Sequence, residues 1–505
     1  MRCWLGSLIL TMTFAGAAAA QDTAAAPTLA HLTLDDALRL AQANSPTYRQ
    51  TLTTVTPTRW AVRNAYGNLL PHVQVSSGFG YTGAGDANFG GGFTRSTSSL
   101  VSSDYNLSIG WDLNGRVLTG PAQEKARARA NAADVGGAGI TLRTEVSTQY
   151  FSALQAAAQT DVARQQVQRN EEFLKLATAR HQVGQATLLE VRQAEVTKQN
   201  SDVALLRAEQ ADMTAKLELL RRIGIEPPVE LDRIVLTDSF PVEEPHFQLA
   251  ELLKMAGTAN PALRSLEARR DGAGWDVRAA KADFLPSLSV QAGWSGFTQQ
   301  YTNERLLLDQ QLGTAQGQAA QCEFDNQLRT AMGVGGGIPD CFGAAGLSAD
   351  GTTLLDPIRR QIHDQNSVFP FRYTGQPFRM NVSLSLPIFT GFGRSLRLAQ
   401  ARAQEQDADE SLRARRLEVR TDVHSRYLEM HAAYRAIGME AVARDAAREQ
   451  LQLAQDHYRV GTGTSLEVAD AQIAVQRAEG DYVNAVYDYH KAVVALEAAV
   501  GQPLR

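Results

Sequence analysis

The chain has 505 residues and a formal net charge of −5, from 49 lysines and arginines against 54 aspartates and glutamates. So small an imbalance, with no basic patch interleaved with aromatics, argues against nucleic acid as a partner. Length alone suggests about three globular domains, but alanine, glutamine, arginine and glutamate dominate residues 122–222 and 395–500, which is long-helix or coiled-coil composition.

Residues 1–20 read as a signal peptide. Arg2 precedes the apolar run Leu8–Phe14, and a small-residue stretch ends at Ala20-Gln21. Cys3 lies ahead of the run, so no lipoprotein signal is expected. Past this segment no uninterrupted apolar stretch reaches the roughly twenty residues that a spanning helix needs. Entry into a membrane would have to be by strands.

The remainder states its pattern twice. Val183–Val191 returns as Val460–Val468, 277 positions later, and Gly115-Arg116 returns as Gly393-Arg394 at 278. Tyr150 is echoed by Tyr427, Asn44-Ser45-Pro46 by Asn260-Pro261, and Leu70-Pro71 by Leu285-Pro286. The chain therefore reads as a first repeat over 21–240 and a second over 241–505. Each begins with a short amphipathic helix: Leu34, Ala37, Leu38 and Ala41 in one, Leu249, Leu252, Leu253 and Ala256 in the other. A second helix follows each and ends at Pro71 or Pro286, where a missing donor and an extended preceding residue give way to strand.

After each proline the apolar period becomes two. Strands are expected at about 72–82 and 104–113, then at about 287–297 and 378–389. Val73, Val75, Phe79 and Tyr81 alternate with Gln74, Ser76, Gly78 and Gly80, and the other three segments behave alike. Segments of about ten residues, apolar on one face and small or polar on the other, suit an outer-membrane barrel wall, with Tyr81, Tyr105, Trp111, Trp294 and Phe378 as interfacial aromatics. A soluble sandwich is the alternative. Closure into a barrel needs at least about eight strands, so four strands require copies of the chain to pool their walls. Long helices are expected over about 119–181 and 188–222, and again over about 395–459 and 465–500. Alanine faces such as Ala153/Ala156/Ala157 imply close helix packing.

At this point the residues resemble the TolC-type outer membrane efflux and secretion channels, across almost all of the chain beyond the signal segment. The resemblance is carried by the two-fold pattern, the Leu-Pro helix-to-strand junctions, Pro387–Gly391, and above all the string Tyr458–Val468. It implies a fold of mixed α and β, mainly long α-helices. Each repeat would hold two transmembrane strands and a long periplasmic helical hairpin, and a homotrimer would form a twelve-stranded barrel with an α-helical tunnel. It implies a passive outer-membrane exit duct extending into the periplasm. The partners would be a periplasmic adaptor protein and an inner-membrane RND, ABC or major-facilitator transporter, with outer-membrane lipid around the barrel. Enzyme activity and cofactors are not expected. A general diffusion porin and a periplasmic coiled-coil scaffold are the rival readings, and the exported substrate is not legible.

The same resemblance assigns the turns Val183, Gly184 and Thr187, and Val460, Gly461 and Thr464, to adaptor docking. Glycine at 184 and 461 equally suits a tight turn needing positive φ. The periplasmic constriction would be formed by Glu467 and Asp470, one helical turn apart, with Glu190 and Tyr458. Gln193 stands in place of a second acid in the first repeat, and Gly463 where some members carry an arginine. A solvated helix face is the alternative for the acids. Cys322 and Cys341 fall in a long loop, 299–376, expected outside the cell, where pairing is plausible; two free thiols are the alternative. The scattered histidines, His424 and His431 included, lack the carboxylates of a metal site.

Overall fold

The computed structural model describes residues 31–88, 94–227, 234–338 and 340–504; the expected signal peptide, 1–20, lies outside the described residues. After a two-residue strand β1 (His31–Leu32), Thr33 caps α1 (Leu34–Asn44) by accepting the Asp36 N–H. Next come α2 (Pro46–Thr53), α3 (Val55–Gly67), β2 (His72–Thr82), β3 (Gly85–Asn88), β4 (Thr94–Thr97) and β5 (Leu100–Leu113). They lead into α4 (Gly115–Gln182) and α5 (Leu188–Ile223), then β6 (Val235–Leu236), α6 (Leu249–Ala259), α7 (Pro261–Ala282) and β7 (Ser287–Tyr301). The chain continues through α8 (Arg305–Ala331), α9 (Cys341–Ala344), α10 (Asp356–Asn366), β8 (Thr374–Gly375) and β9 (Arg379–Ser385) to α11 (Gly393–Val460) and α12 (Ser465–Val500). Helices α4 and α11 are each 68 residues long, and α5 and α12 are each 36. Among the described residues no helix is long and apolar enough to cross a membrane.

Two compact units form. One gathers the chain up to Thr56 with Arg129–Ala268 and Glu410–Arg505; the other gathers Pro57–Ala128 with Arg269–Asp409. In the first, helix packing follows a seven-residue period. Val423, Met430 and Ile437, then Leu451 and Tyr458, are buried on α11. They meet Val468, Val475, Tyr489 and Leu496 of α12, with Tyr482 partly buried on the same seam. That is knobs-into-holes spacing, and it explains how a helix with so few large apolar residues stays ordered. A second cluster surrounds Tyr150 and Phe151 of α4. Phe240 lies 4.8 Å from the Phe151 ring, and His490 stacks on it at 5.3 Å. The fully buried Tyr150 hydroxyl lies 2.9 Å from the Leu32 carbonyl and 3.2 Å from an Asp238 oxygen. Burial first, then the Asp238 charge, pushes the Tyr150 pKa up.

The second unit contains the sheet, ordered β2-β5-β7 with β8 and β9 both pairing β7, all antiparallel. Its register sorts the faces. Val73, Ile109, Ala292 and Met380 form one continuous cross-strand row, whereas Gln74, Ser108, Gly293 and Arg379 form a neighbouring row on the other face. The strands depart from the sequence expectation at their ends. β5 begins at Leu100 and β7 runs on to Tyr301, because the serine and threonine pattern keeps the ladder going past the last apolar residue; Ser103 and Thr298 pair their buried hydroxyls at 2.9 Å. β9 is shorter than 378–389, since Pro286 and Pro387 bound the last ladder pair, Ser287 with Ser385.

Residues 299–376, expected as a loop, are largely helical. Leu308, Leu312, Ala315 and Ala319 put an apolar stripe along α8, which packs on Leu347, Leu354, Ile358 and Ile362. A disulfide joins Cys322 to Cys341, with Cα atoms 5.7 Å apart. In the shorter connection of the first half, β3 pairs with β4.

Replacing Tyr150 by Phe should deprive the buried Leu32 carbonyl of its hydroxyl donor, while Asp238 keeps the Leu34 N–H, costing about 1–3 kcal/mol. Thermal unfolding in detergent checks this: the midpoint should fall, and an unchanged midpoint would show the hydroxyl to be idle.

Candidate functional site at the hairpin turns

Both helical hairpins turn on a glycine in the left-handed region, Gly184 at φ 76° and Gly461 at φ 88°, where a side chain would be strained. Each following helix is then started by a capping box. Thr187 accepts the Glu190 N–H while Glu190 accepts the Thr187 N–H, and Thr464 and Glu467 do the same for α12. The string that the two halves share is, locally, the recipe for this turn. Val183 and Val460 remain exposed at the tips, as do Gly184, Thr187, Gly461 and Thr464.

Several residues join the hairpins, Tyr458 among them. Tyr458, the third residue from the end of α11, is 1 % exposed and packs 5.4 Å from the Phe173 ring of α4. Its hydroxyl donates to Glu190 Oε2 at 3.0 Å. The Arg180 guanidinium lies 4.4 Å over the Tyr458 ring and also donates to the Tyr458 carbonyl. Glu190 is thus held by its own cap, by the tyrosine and by a nearby cation. Burial works to raise its pKa, but the Thr187 N–H, the Tyr458 hydroxyl, the Thr187 hydroxyl and the Arg180 charge together hold it below the usual glutamate value. Tyr458 moves the other way: burial, then the Glu190 hydrogen bond and charge, raise it.

Of the four residues expected at a constriction, the chain brings Glu190 and Tyr458 together. Glu467 caps its own helix and Asp470 sits exposed a turn later. Arg180 was missed from sequence. Its only signal was its place four residues before the turn glycine, where the second half has His457. At Gly463 a Cβ would meet the His457 Cβ at 2.9 Å and the Tyr458 nitrogen at 3.1 Å. Beside this cluster, Phe173, Leu189, Val196, Leu466 and Ala469 line a groove of 460 Å³. Farther along, Glu479 is 4 % exposed and accepts from Arg169 at 2.9 Å and from Arg448 at 2.8 and 3.0 Å, tying α4, α11 and α12 together. Among the described residues no cluster of His, Cys, Asp and Glu could hold a metal ion.

Comparison with known proteins gives the family. The model of the outer membrane efflux protein family matches residues 37–224 and 359–502. Outer membrane protein TolC of Escherichia coli is 24 % identical over 451 residues, covering 87 % of this chain and 76 % of that protein. Outer membrane protein TolC of Vibrio cholerae is 22 % identical over 442 residues, covering 87 % and 84 %. In fold, the chain is similar to the outer membrane protein VceC from Vibrio cholerae, with a TM-score of 0.66 at 15 % identity over 94 % of this chain and 97 % of that one. The capped turns, the alternating strands and the long helices are accordingly those of an outer-membrane protein of a Gram-negative bacterium, and the chain belongs to the outer membrane efflux protein family.

Proposed function

We propose that the protein is the passive outer-membrane duct of a tripartite export system, working as a homotrimer. The observation that carries this reading is the sheet: four principal strands, apolar on one face, with the outer edges of β2 and β9 unpaired among the described residues. Three copies would supply twelve strands and close the wall. Exposed seams on the helices support the same assembly. Leu189, Val196 and Val203 recur every seven residues on α5, and Leu417, Leu428 and Met439 every eleven on α11, all exposed in the single chain. Neighbouring copies would cover them.

In this reading the duct does no chemistry, and the energy for transport comes from an inner-membrane RND, ABC or major-facilitator transporter. A periplasmic adaptor docks on the turns at Val183, Gly184 and Thr187 and at Val460, Gly461 and Thr464. The Arg180–Tyr458–Glu190 cluster holds the hairpins together while the duct is closed. Three copies each of Glu467 and Asp470 near the axis would concentrate cations.

Mass measurement in mild detergent tests assembly: a trimer is expected, and a water-soluble monomer would end the duct reading. The latch is tested by conductance in planar bilayers. Glu190→Gln and Tyr458→Phe should each raise closed-state conductance. Because the Glu190 pKa is depressed when the latch is made, its contribution is present above the ordinary value of 4.5 and lost as pH falls through the lower folded value. Wild-type conductance should therefore step up in acid, and Glu190→Gln should abolish the step; a step that survives in the variant removes Glu190 from the latch. Replacing Glu467 and Asp470 by Ala should weaken block by divalent cations, and unaltered block would return both to the role of solvated helix face.

A further inference from the structure

At the lower end of β9 the chain turns through Pro387–Phe392 into α11. Ile388 is 92 % exposed, and Phe389 and Phe392 are each 74 % exposed, with their rings in an edge-to-face pair at 5.6 Å. Phe392 has φ 63°, and among the described residues it is the one non-glycine in the left-handed region. It also occupies the N-cap position of α11, its carbonyl accepting the Leu396 N–H. The corresponding residue 278 positions earlier is Asn114, whose side chain accepts the N–H groups of Arg116 and Val117 at the start of α4. Where one half places a capping asparagine, the other places a strained phenylalanine that caps nothing with its side chain and shows its ring to the surroundings. Backbone strain of this kind persists only when something outweighs it, and no contact within the chain buries the ring.

The turn is firmly mounted. Arg394, 6 % exposed, donates to Thr390 Oγ1 at 3.1 Å, to the Asp283 carbonyl at 3.4 Å and to the Pro387 carbonyl, with its guanidinium 5.1 Å from the Phe284 ring. The strand's alternation, continued past β9, puts Leu386 and Ile388 on the face of Met380, Val382 and Leu384, all exposed. Arg116 and Arg397 share the single carboxylate of Asp283, and Arg394 donates to neutral hydroxyl and carbonyl oxygens, so these four side chains leave two net positive charges beside this apolar turn. Apolar rings continuous with an apolar strand face, next to surplus positive charge, match the boundary between acyl chains and anionic headgroups.

We propose that the Ile388–Phe392 turn is a lipid anchor, seated in the interfacial zone of the periplasmic leaflet and fixing the depth of the strands. The inference rests on the proposed lipid-facing reading of the apolar sheet face. It is tested on the full chain in bilayers of phosphatidylethanolamine and phosphatidylglycerol, with single spin-labelled cysteines in a Cys3→Ser background, where Cys322 and Cys341 are already bonded. Labels at Ile388→Cys and Phe392→Cys should collide with oxygen over a water-soluble nickel chelate by a ratio several-fold above that at Glu449→Cys on an exposed face of α11. A label open to the nickel chelate places the turn in water, and a label closed to both reagents places it under a second copy; either overturns the anchor. Leu384→Cys separates the two readings: a lipid-accessible label there with a water-accessible one at 392 removes the anchor alone, whereas water at both removes the sheet reading too. Phe392→Asn, the residue of the other half, should leave thermal stability in detergent undiminished while shifting the label at 388 toward water. An unmoved label would overturn the anchor as well.

Discussion

The unmet backbone groups along the two sheet edges govern this molecule. Among the described residues, β2 is 11 residues long and pairs on one side only, with β5, and β9 pairs only with β7. In the hydrocarbon of a membrane each unpaired N–H or C=O costs several kcal/mol, so two open edges together cost on the order of tens of kcal/mol. A typical domain's whole folding free energy is about 5–15 kcal/mol. No local adjustment of loops or side chains offsets a deficit of that size. In the proposed trimer, edge-to-edge pairing between copies would remove it with bonds of the same kind as those already inside the sheet. The apolar face is a consequence of the same arrangement, since rows such as Val73–Ile109–Ala292–Met380 have no second layer stacked on them by the register.

The helices meet a related constraint by using two periods at once. On α11 the buried residues Val423, Met430 and Ile437 repeat every seven, while the exposed Leu417, Leu428 and Met439 repeat every eleven. Seven residues in two turns favours a left-handed supercoil and eleven in three turns a right-handed one. Both seams on one helix balance each other near the helix's own period, which suits a helix that must be lined by different neighbours on different sides without coiling tightly about any of them. Alanine at buried sites such as Ala126, Ala130, Ala153 and Ala177 of α4 lets backbones approach where two long helices run side by side.

Much of this was legible because it is written in period and punctuation. Strand alternation, the Leu-Pro junctions, the capping pairs Thr187/Glu190 and Thr464/Glu467 and the turn glycines are all local signals, and each marks its element to within a few residues. What escaped was either tertiary or non-apolar. Arg180 meets Tyr458 across 278 positions of sequence, a pairing that no spacing announces. The extra turns of β5 and β7 are held by hydroxyl pairs such as Ser103 with Thr298, which hydropathy does not register. Helix α8 carried a readable stripe at Leu308, Leu312, Ala315 and Ala319, but its glycines and glutamines masked it as loop. At Phe392 local rules predict an asparagine-like cap, and the departure from them is itself the information.

The contrast in magnitude between wall and tip bears on mechanism. The cluster at the hairpin turns includes one tyrosine–glutamate hydrogen bond and one arginine–ring contact, beside a hydrogen bond from Arg180 to the Tyr458 carbonyl and the packing of Phe173 on the Tyr458 ring. A hydrogen bond to a charged group contributes about 1.5–3 kcal/mol and a partly exposed cation–π contact about 0.5–1 kcal/mol or somewhat more. Those sums are small beside the cost of opening a sheet edge and comparable to what a docking protein supplies from a few well-buried residues. In the duct proposed above, a wall held by backbone pairing would outlast tips held by a few side-chain contacts, so opening would begin at the tips. The two hairpins also lack matching contacts, since Glu190 accepts from Tyr458 while Glu467 remains at its own cap, so in the proposed opening the parting surface would lie between the hairpins rather than within either one.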